Sequence, residues 1–209
     1  MLLFPASSFI INNINSILPA GVGRKAFSRD TGQTAQLSGR LVLKFKVGDK
    51  VVYPNHGVGV VESIRDLNYG EACGPFISLK ILASDSVVMV PVENSKTVGL
   101  RKLASRAKVR KVFDRLKNSE IHVPQDWKGR YQENQEKMRS GDLEQVSDVL
   151  KNLTYLNSMK TLSYRERKML DRARALVVSE LSEASNKSLG EIEGQIDEAM
   201  SEVLKSAAS

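Results

Sequence analysis

The single tryptophan, Trp127, lies in the stretch VPQDWKGRYQENQ between Asp126 and Lys128, with Arg130 about one helical turn further on. An indole flanked by cations suits one task on a nucleic acid. The ring stacks where a base step opens, while Lys and Arg hold the phosphates. A helix start beside it adds amide donors and the positive end of the helix dipole. The same residues admit a second use. Trp127, Tyr131 and Met138 are spaced by four and seven, so they share a helical face and can close a small core. Against that core stands a polar neighbourhood of Gln125, Asp126, Lys128, Arg130, Gln132, Glu133 and Asn134. The residues alone leave both readings open.

Covalent chemistry is poorly supplied. His56 sits in PNHGVG without an evident nucleophile or carboxylate partner, and no cluster of nucleophile, base and oxyanion donors can be assembled. Gly57 and Gly59 invite comparison with a phosphate-binding loop. Yet no GxGxxG or GxxxxGK[ST] pattern follows, and a strand rather than a helix comes next, so these glycines read as turn geometry. Two histidines and one cysteine leave a nitrogen and sulfur metal site short of ligands. The lone Cys73 allows no internal disulfide and fits a reducing compartment. The expectation is a protein that is not an enzyme, with no cofactor, no metal and no small-molecule substrate.

The chain as a whole points to polyanionic partners. Its formal charge is +7 over 209 residues, and its pI is near 9.5. Hydrophobic residues at 41% and charged residues at 26% are ordinary for a folded domain, and no stretch approaches the roughly 20 apolar residues of a membrane span. Residues 1–43 read differently. Asp30 is the only acid before Asp49, and the segment offers neither the basic start nor the clean apolar run of a signal peptide. They read as a disordered leader or a mis-assigned start, with translation beginning near Val42 or Leu43. A transit peptide is the weaker alternative.

The elements that must position these residues follow from pattern. Val51-Val52-Tyr53 and Val58 to Ile64 flank the turn Pro54-Asn55-His56-Gly57, where Asn and Gly can supply positive φ. Phe76 to Leu82 and Ser86 to Val92 flank Ala83-Ser84-Asp85. Short strands with no helix between them predict a small antiparallel barrel. After Gly99 the chain turns helical. Asp126, Ser140-Gly141-Asp142, and the capping boxes SYRE (Ser163 to Glu166) and SLGE (Ser188 to Glu191) mark helix ends. Five helices are expected over Ser105 to Lys117, Trp127 to Met138, Leu143 to Leu156, Tyr164 to Ala184 and Leu189 to Leu204. Met169, Leu170, Ala173, Leu176, Val177 and Leu181 form the buried stripe of the fourth. The fold class is therefore α+β, with a barrel over residues 44–101 and a helical domain over 102–209.

Charge is uneven across the helical half. Arg101, Lys102, Arg106, Lys108, Arg110, Lys111, Arg115 and Lys117 crowd its entry, opposed there only by Asp114. The last helix carries Glu191, Glu193, Asp197, Glu198 and Glu202 against Lys205. A solvated face balanced by an acidic tail explains this, and so does a phosphate footprint whose binding releases counterions.

The stretches FKVGDKVVYPNHGVGVVE, VPVENSKTVGLRKL, DWKGRYQENQEKMRSGD and LSYRERKMLDRARALVVSEL, in this order, resemble the CarD/CdnL family of bacterial transcription regulators over nearly all of Lys44 to Leu204. The resemblance implies a Tudor-like, SH3-like barrel that binds the β subunit of RNA polymerase, as in the transcription-repair coupling factor, although no helicase motif follows here. It also implies a helical domain that meets promoter DNA at the upstream edge of the bubble. The family's wedge residue falls on Trp127, so the resemblance favours the wedge over the core. Arg130 matches a basic position of the same motif. The expected DNA contacts are Trp127, Lys128, Arg130, Arg101, Lys102 and Arg106, largely without sequence preference and through the minor groove. The expected polymerase contacts are Leu67, Tyr69, Val88, Met89 and Pro91. Some relatives are basic where Leu67 and Met89 stand, so contact here would be more apolar, helped by backbone pairing along a strand edge. The implied work is stabilisation of the open promoter by a cytoplasmic protein, associated with the nucleoid through polymerase. The alternative is a free-standing basic DNA-binding, architectural protein.

Overall fold

The structure, a computed structural model, describes residues 45–69, 72–118, 121 and 126–207. The leader expected over residues 1–43 lies outside the described residues.

Lys50–Tyr53 (β1) turns through Pro54 to His56 into Gly57–Tyr69 (β2). Asn55 and Gly57 take positive φ, 62° and 90°, as the reversal requires. Ala72–Ile81 (β3), Val87–Pro91 (β4) and Arg101–Lys102 (β5) complete an antiparallel sheet of order β4-β3-β2-β1-β5. A short 3-10 turn, Val92–Asn94, leads out of β4. Among the described residues the ladder does not close between β4 and β5, so the expected barrel is an open sheet.

The β2–β3 hairpin is longer than its apolar runs suggest, because Gly74 and Pro75 interrupt the strand pattern. They pair with Leu67 and Asp66 all the same. β4 stops with Pro91 opposite Phe76, so Pro75 lies where β3 has become an edge, the setting that tolerates a proline. Alternation fills the interior with Val51, Tyr53, Val61, Ile77, Leu79, Ile81, Val88 and Val90. Val52 and Val58 are buried too, but on the other side, toward the helices. Sheet faces covered on both sides account for the unbroken buried run Val51 to Pro54.

Arg106–Lys117 (α1), Trp127–Ser140 (α2), Leu143–Met159 (α3), Tyr164–Ser185 (α4) and Leu189–Ala207 (α5) follow. Side chains cap them where the sequence places the signals. Ser105 accepts from the Lys108 amide, Asp126 from Lys128 and Gly129, and Asp142 from Glu144 and Gln145. Ser163 and Glu166 form a reciprocal capping box, as do Ser188 and Glu191. Val112, Leu116, Val149, Leu150, Leu153, Val177, Leu181, Ile192 and Ile196 make the helical core.

α2 is the exception to apolar packing. Its buried positions are Arg130, Asn134 and Met138, four residues apart, while Tyr131 is only half-buried. Tyr131 and Met138 do share a side of α2 and line one cleft, but the most buried stripe is headed by a charged residue, Arg130.

The β1–β2 turn docks the sheet on the helices. Pro54 is buried against Gly99 and Gly141. Arg172 on α4 donates to the Asn55 carbonyl, and Lys50 pairs with Glu183.

Candidate nucleic-acid interface

The six expected DNA contacts divide. Lys102 on β5, Arg106 at the start of α1 and Lys128 in the first turn of α2 are exposed, as a phosphate contact needs. Arg101 and Arg130 are not placed for that role, and both expectations are corrected. Arg101 faces inward from β5. Its guanidinium donates to both oxygens of Glu180, at 2.5 and 2.7 Å, and twice to the Gly141 carbonyl, at 3.0 and 2.7 Å. Arg130 is 3% exposed, and its Nε and Nη2 both donate to Glu166 Oε1, at 3.1 and 2.8 Å. A guanidinium spent on a buried carboxylate has no free donor fork for DNA. Trp127 is the first residue of α2, and its side chain lies outside the described residues.

Glu166 serves two partners. It closes the capping box of α4 through Ser163 and receives Arg130 from α2. Burial would raise its pKa, but hydrogen bonds from Arg130 and Ser163 outweigh that and hold the carboxyl below the ordinary carboxylate range. The first turns of α2 and α4 are thereby joined.

Below this junction runs a cleft that the sequence pattern did not reveal. It holds about 570 Å³ between α2 and α4 and reaches Asn55 of the β1–β2 turn. Arg139 from α2 and Arg165, Lys168 and Arg172 from α4 line it, opposed by Asp171, around Tyr131, Met138 and Met169. These cations lie 26 or more positions apart between the two helices, so no local charge run announces them. The signal was present only as YRERK and DRAR on an otherwise amphipathic helix. Four cations around a groove make a natural seat for phosphates.

His56 stacks on Tyr53, with ring centroids 4.7 Å apart and planes at 11°. Burial first, then the charge of Arg172, lowers its pKa below the ordinary histidine value. It is a packed turn residue. Among the described residues no group of His, Cys, Asp and Glu could hold a metal ion. Nor is any helix among them long and apolar enough to cross a membrane.

The expected polymerase contacts lie on or beside the sheet's edge. β4 has β3 as its one neighbour, so its far side is an unpaired strand edge in the described residues. Met89 and Pro91 sit half-buried on the outer face of β4, paired with Ser78 and Phe76. Val88 is corrected: at 1% exposure, opposite Leu79, its side chain belongs to the interior. Leu67 and Tyr69 lie near the tip of the β2–β3 hairpin, and their side chains lie outside the described residues.

An open antiparallel sheet docked on five helices, with a basic cleft between α2 and α4, defines an α+β protein among the described residues. Comparison with known sequences identifies the modules. Residues 45–104 match the family model described as "CarD-like/TRCF RID domain", and residues 111–197 match "CarD, C-terminal domain". The chain belongs to the CarD/CdnL-like family of transcription regulators. The first of these domain families implies an interaction with RNA polymerase. A curated relative is YdeB of Bacillus subtilis (strain 168), described as a candidate transcription factor. It is 28% identical over 137 residues, 66% of this chain and 90% of that protein.

Proposed function

We propose that this chain regulates transcription initiation by binding the β subunit of RNA polymerase through its sheet and stabilising the open promoter complex through Trp127. In this reading the edge of β4, with Met89 and Pro91 on its outer face, pairs with polymerase. Binding there raises the local concentration of the helical domain at the promoter. Trp127 enters the minor groove at the upstream edge of the bubble and props apart a base step, while Lys128, Lys102 and Arg106 take phosphates. The protein performs no bond chemistry. It binds the open state better than the closed one and so shifts their balance, about tenfold for about 1.4 kcal/mol of differential affinity.

The observation that carries this reading is the cleft of Arg139, Arg165, Lys168 and Arg172, formed by α4 and by the helix that Trp127 begins. A polyanion lying along it passes beside the start of α2. The test is the lifetime of open complexes formed with purified polymerase. Trp127→Ala is expected to shorten that lifetime roughly tenfold while leaving polymerase binding and the melting temperature unchanged. An unchanged lifetime refutes the wedge, and an unfolded variant assigns the indole to the core.

A further inference from the structure

We propose that Tyr164 is a second nucleic-acid contact of this chain: a stacking platform for an unpaired base, with Arg165 and Lys168 holding the adjoining phosphates. The proposal rests on the open-complex reading above for its nucleic acid and shares its basic cleft, but the ring it turns on is Tyr164, not Trp127.

Tyr164 is the first residue of α4, and at 72% exposure it is the most open of the large apolar side chains among the described residues. Its place is fixed rather than frayed. Ser163 and Glu166 cap the turn it begins, and Glu166 is itself held by Arg130 of α2. One turn along α4, the Lys168 ammonium stands 4.8 Å from the ring centroid. A cation therefore attends the ring, and its open surface leaves room for a flat partner.

Lys168 also lines the basic cleft, together with Arg139, Arg165 and Arg172. The ring and the cleft are thus continuous through one lysine. A phosphate chain in the cleft would bring its bases past the rim where the ring lies. That combination, a cationic track with an aromatic ring beside it, is how proteins hold single strands without reading sequence, because every base presents a π face. A fully paired duplex would gain the cations but not the ring.

The site lies close to the start of α2. Trp127 and Tyr164 each fall within one helical turn of the Arg130–Glu166 ion pair. In an open promoter this puts a second aromatic residue near the junction, able to receive a base already freed from the stack.

The experiment uses the full chain with a forked DNA carrying 2-aminopurine at the first unpaired position, alongside the fully paired duplex. Wild type and Tyr164→Phe are expected to quench the probe and bind the fork alike. Tyr164→Ala is expected to lose the quenching and bind the fork roughly tenfold more weakly, with duplex affinity unchanged. Equal fork binding and quenching by Tyr164→Ala overturns the proposal, and so does equal weakening on fork and duplex. The outcome is separable from that of the wedge. Loss of fork stacking in Tyr164→Ala supports the proposal even where Trp127→Ala leaves the open-complex lifetime unchanged. An inert Tyr164→Ala overturns it even where Trp127→Ala shortens that lifetime.

Discussion

Arg101 on the last strand of the sheet and Glu180 on α4 meet edge on, Nη1 to Oε1 at 2.5 Å and Nη2 to Oε2 at 2.7 Å. Glu180 is 3% exposed, and Arg101 also donates to the Gly141 carbonyl between α2 and α3. One guanidinium thus ties the sheet both to α4 and to the junction of α2 and α3. Removing it strands a buried carboxylate, a change that costs on the order of 3 kcal/mol. Arg101→Ala is expected to lower the urea midpoint by a corresponding amount. Arg101→Met combined with Glu180→Leu is expected to recover most of the loss, since no charge is then left buried without a partner. A double variant as unstable as the single one would show that the backbone groups then left unpaired, the Gly141 carbonyl and the Ala104 amide, matter more than the ion pair.

Gly141 carries a second constraint at the same junction. It ends α2 in the left-handed region, with φ of 64°, and a Cβ there would stand 2.7 Å from Pro54 Cγ and 3.3 Å from Pro54 Cα. Gly141→Ala meets both the left-handed penalty and a clash with a buried ring. The expected cost is about 2 kcal/mol or more, read as a lower melting temperature. Gly194→Ala is the control. It sits inside α5 with nothing within 4 Å of an added Cβ, so it should stabilise by about 0.5–1 kcal/mol.

What the sequence made legible, and what it did not, divides along the range of the interactions. Helix starts are local events. Ser105, Asp126, Asp142, Ser163 and Ser188 each cap amides two or three residues away, so their spacing alone locates them. Helix ends depend more on packing, and α3 runs past the expected Leu156 to Met159. Val88 and Met89 were legible in principle: neighbours on a strand point to opposite faces, and the pairing of Leu79 with Val88 turns Val88 inward.

The site residues are harder for a physical reason. Arg101 and Glu180 are 79 positions apart and Arg130 and Glu166 are 36 apart, and a cation beside a tryptophan looks the same whether it faces DNA or a buried acid. The cleft cations Arg139, Arg165, Lys168 and Arg172 come together only once α2 packs near α4. A buried stripe of Arg130, Asn134 and Met138 shows little apolar periodicity, so α2's inward face could not be read from hydrophobicity.

The Arg130–Glu166 pair has a pH signature. Burial raises the Glu166 pKa, but the hydrogen bonds from Arg130 and Ser163 prevail and leave it below the ordinary value of 4.5. The unfolded chain, with an ordinary carboxyl, therefore takes up the proton first as the solution is acidified. Stability from this group is fully present above that ordinary value and drains away as pH falls toward the lower folded pKa. In urea titrations from neutral pH downward, wild type should weaken through that acid window. Glu166→Gln should start lower at neutral pH, by on the order of 3 kcal/mol, because Arg130 is left buried beside a neutral amide. Its acid limb should be flatter, since the titrating group is gone. Parallel acid limbs for the two proteins would place the acid sensitivity elsewhere, with Asp142 the next group to test. Burial raises its pKa too, yet hydrogen bonds from Lys108 and the Glu144 amide hold it low.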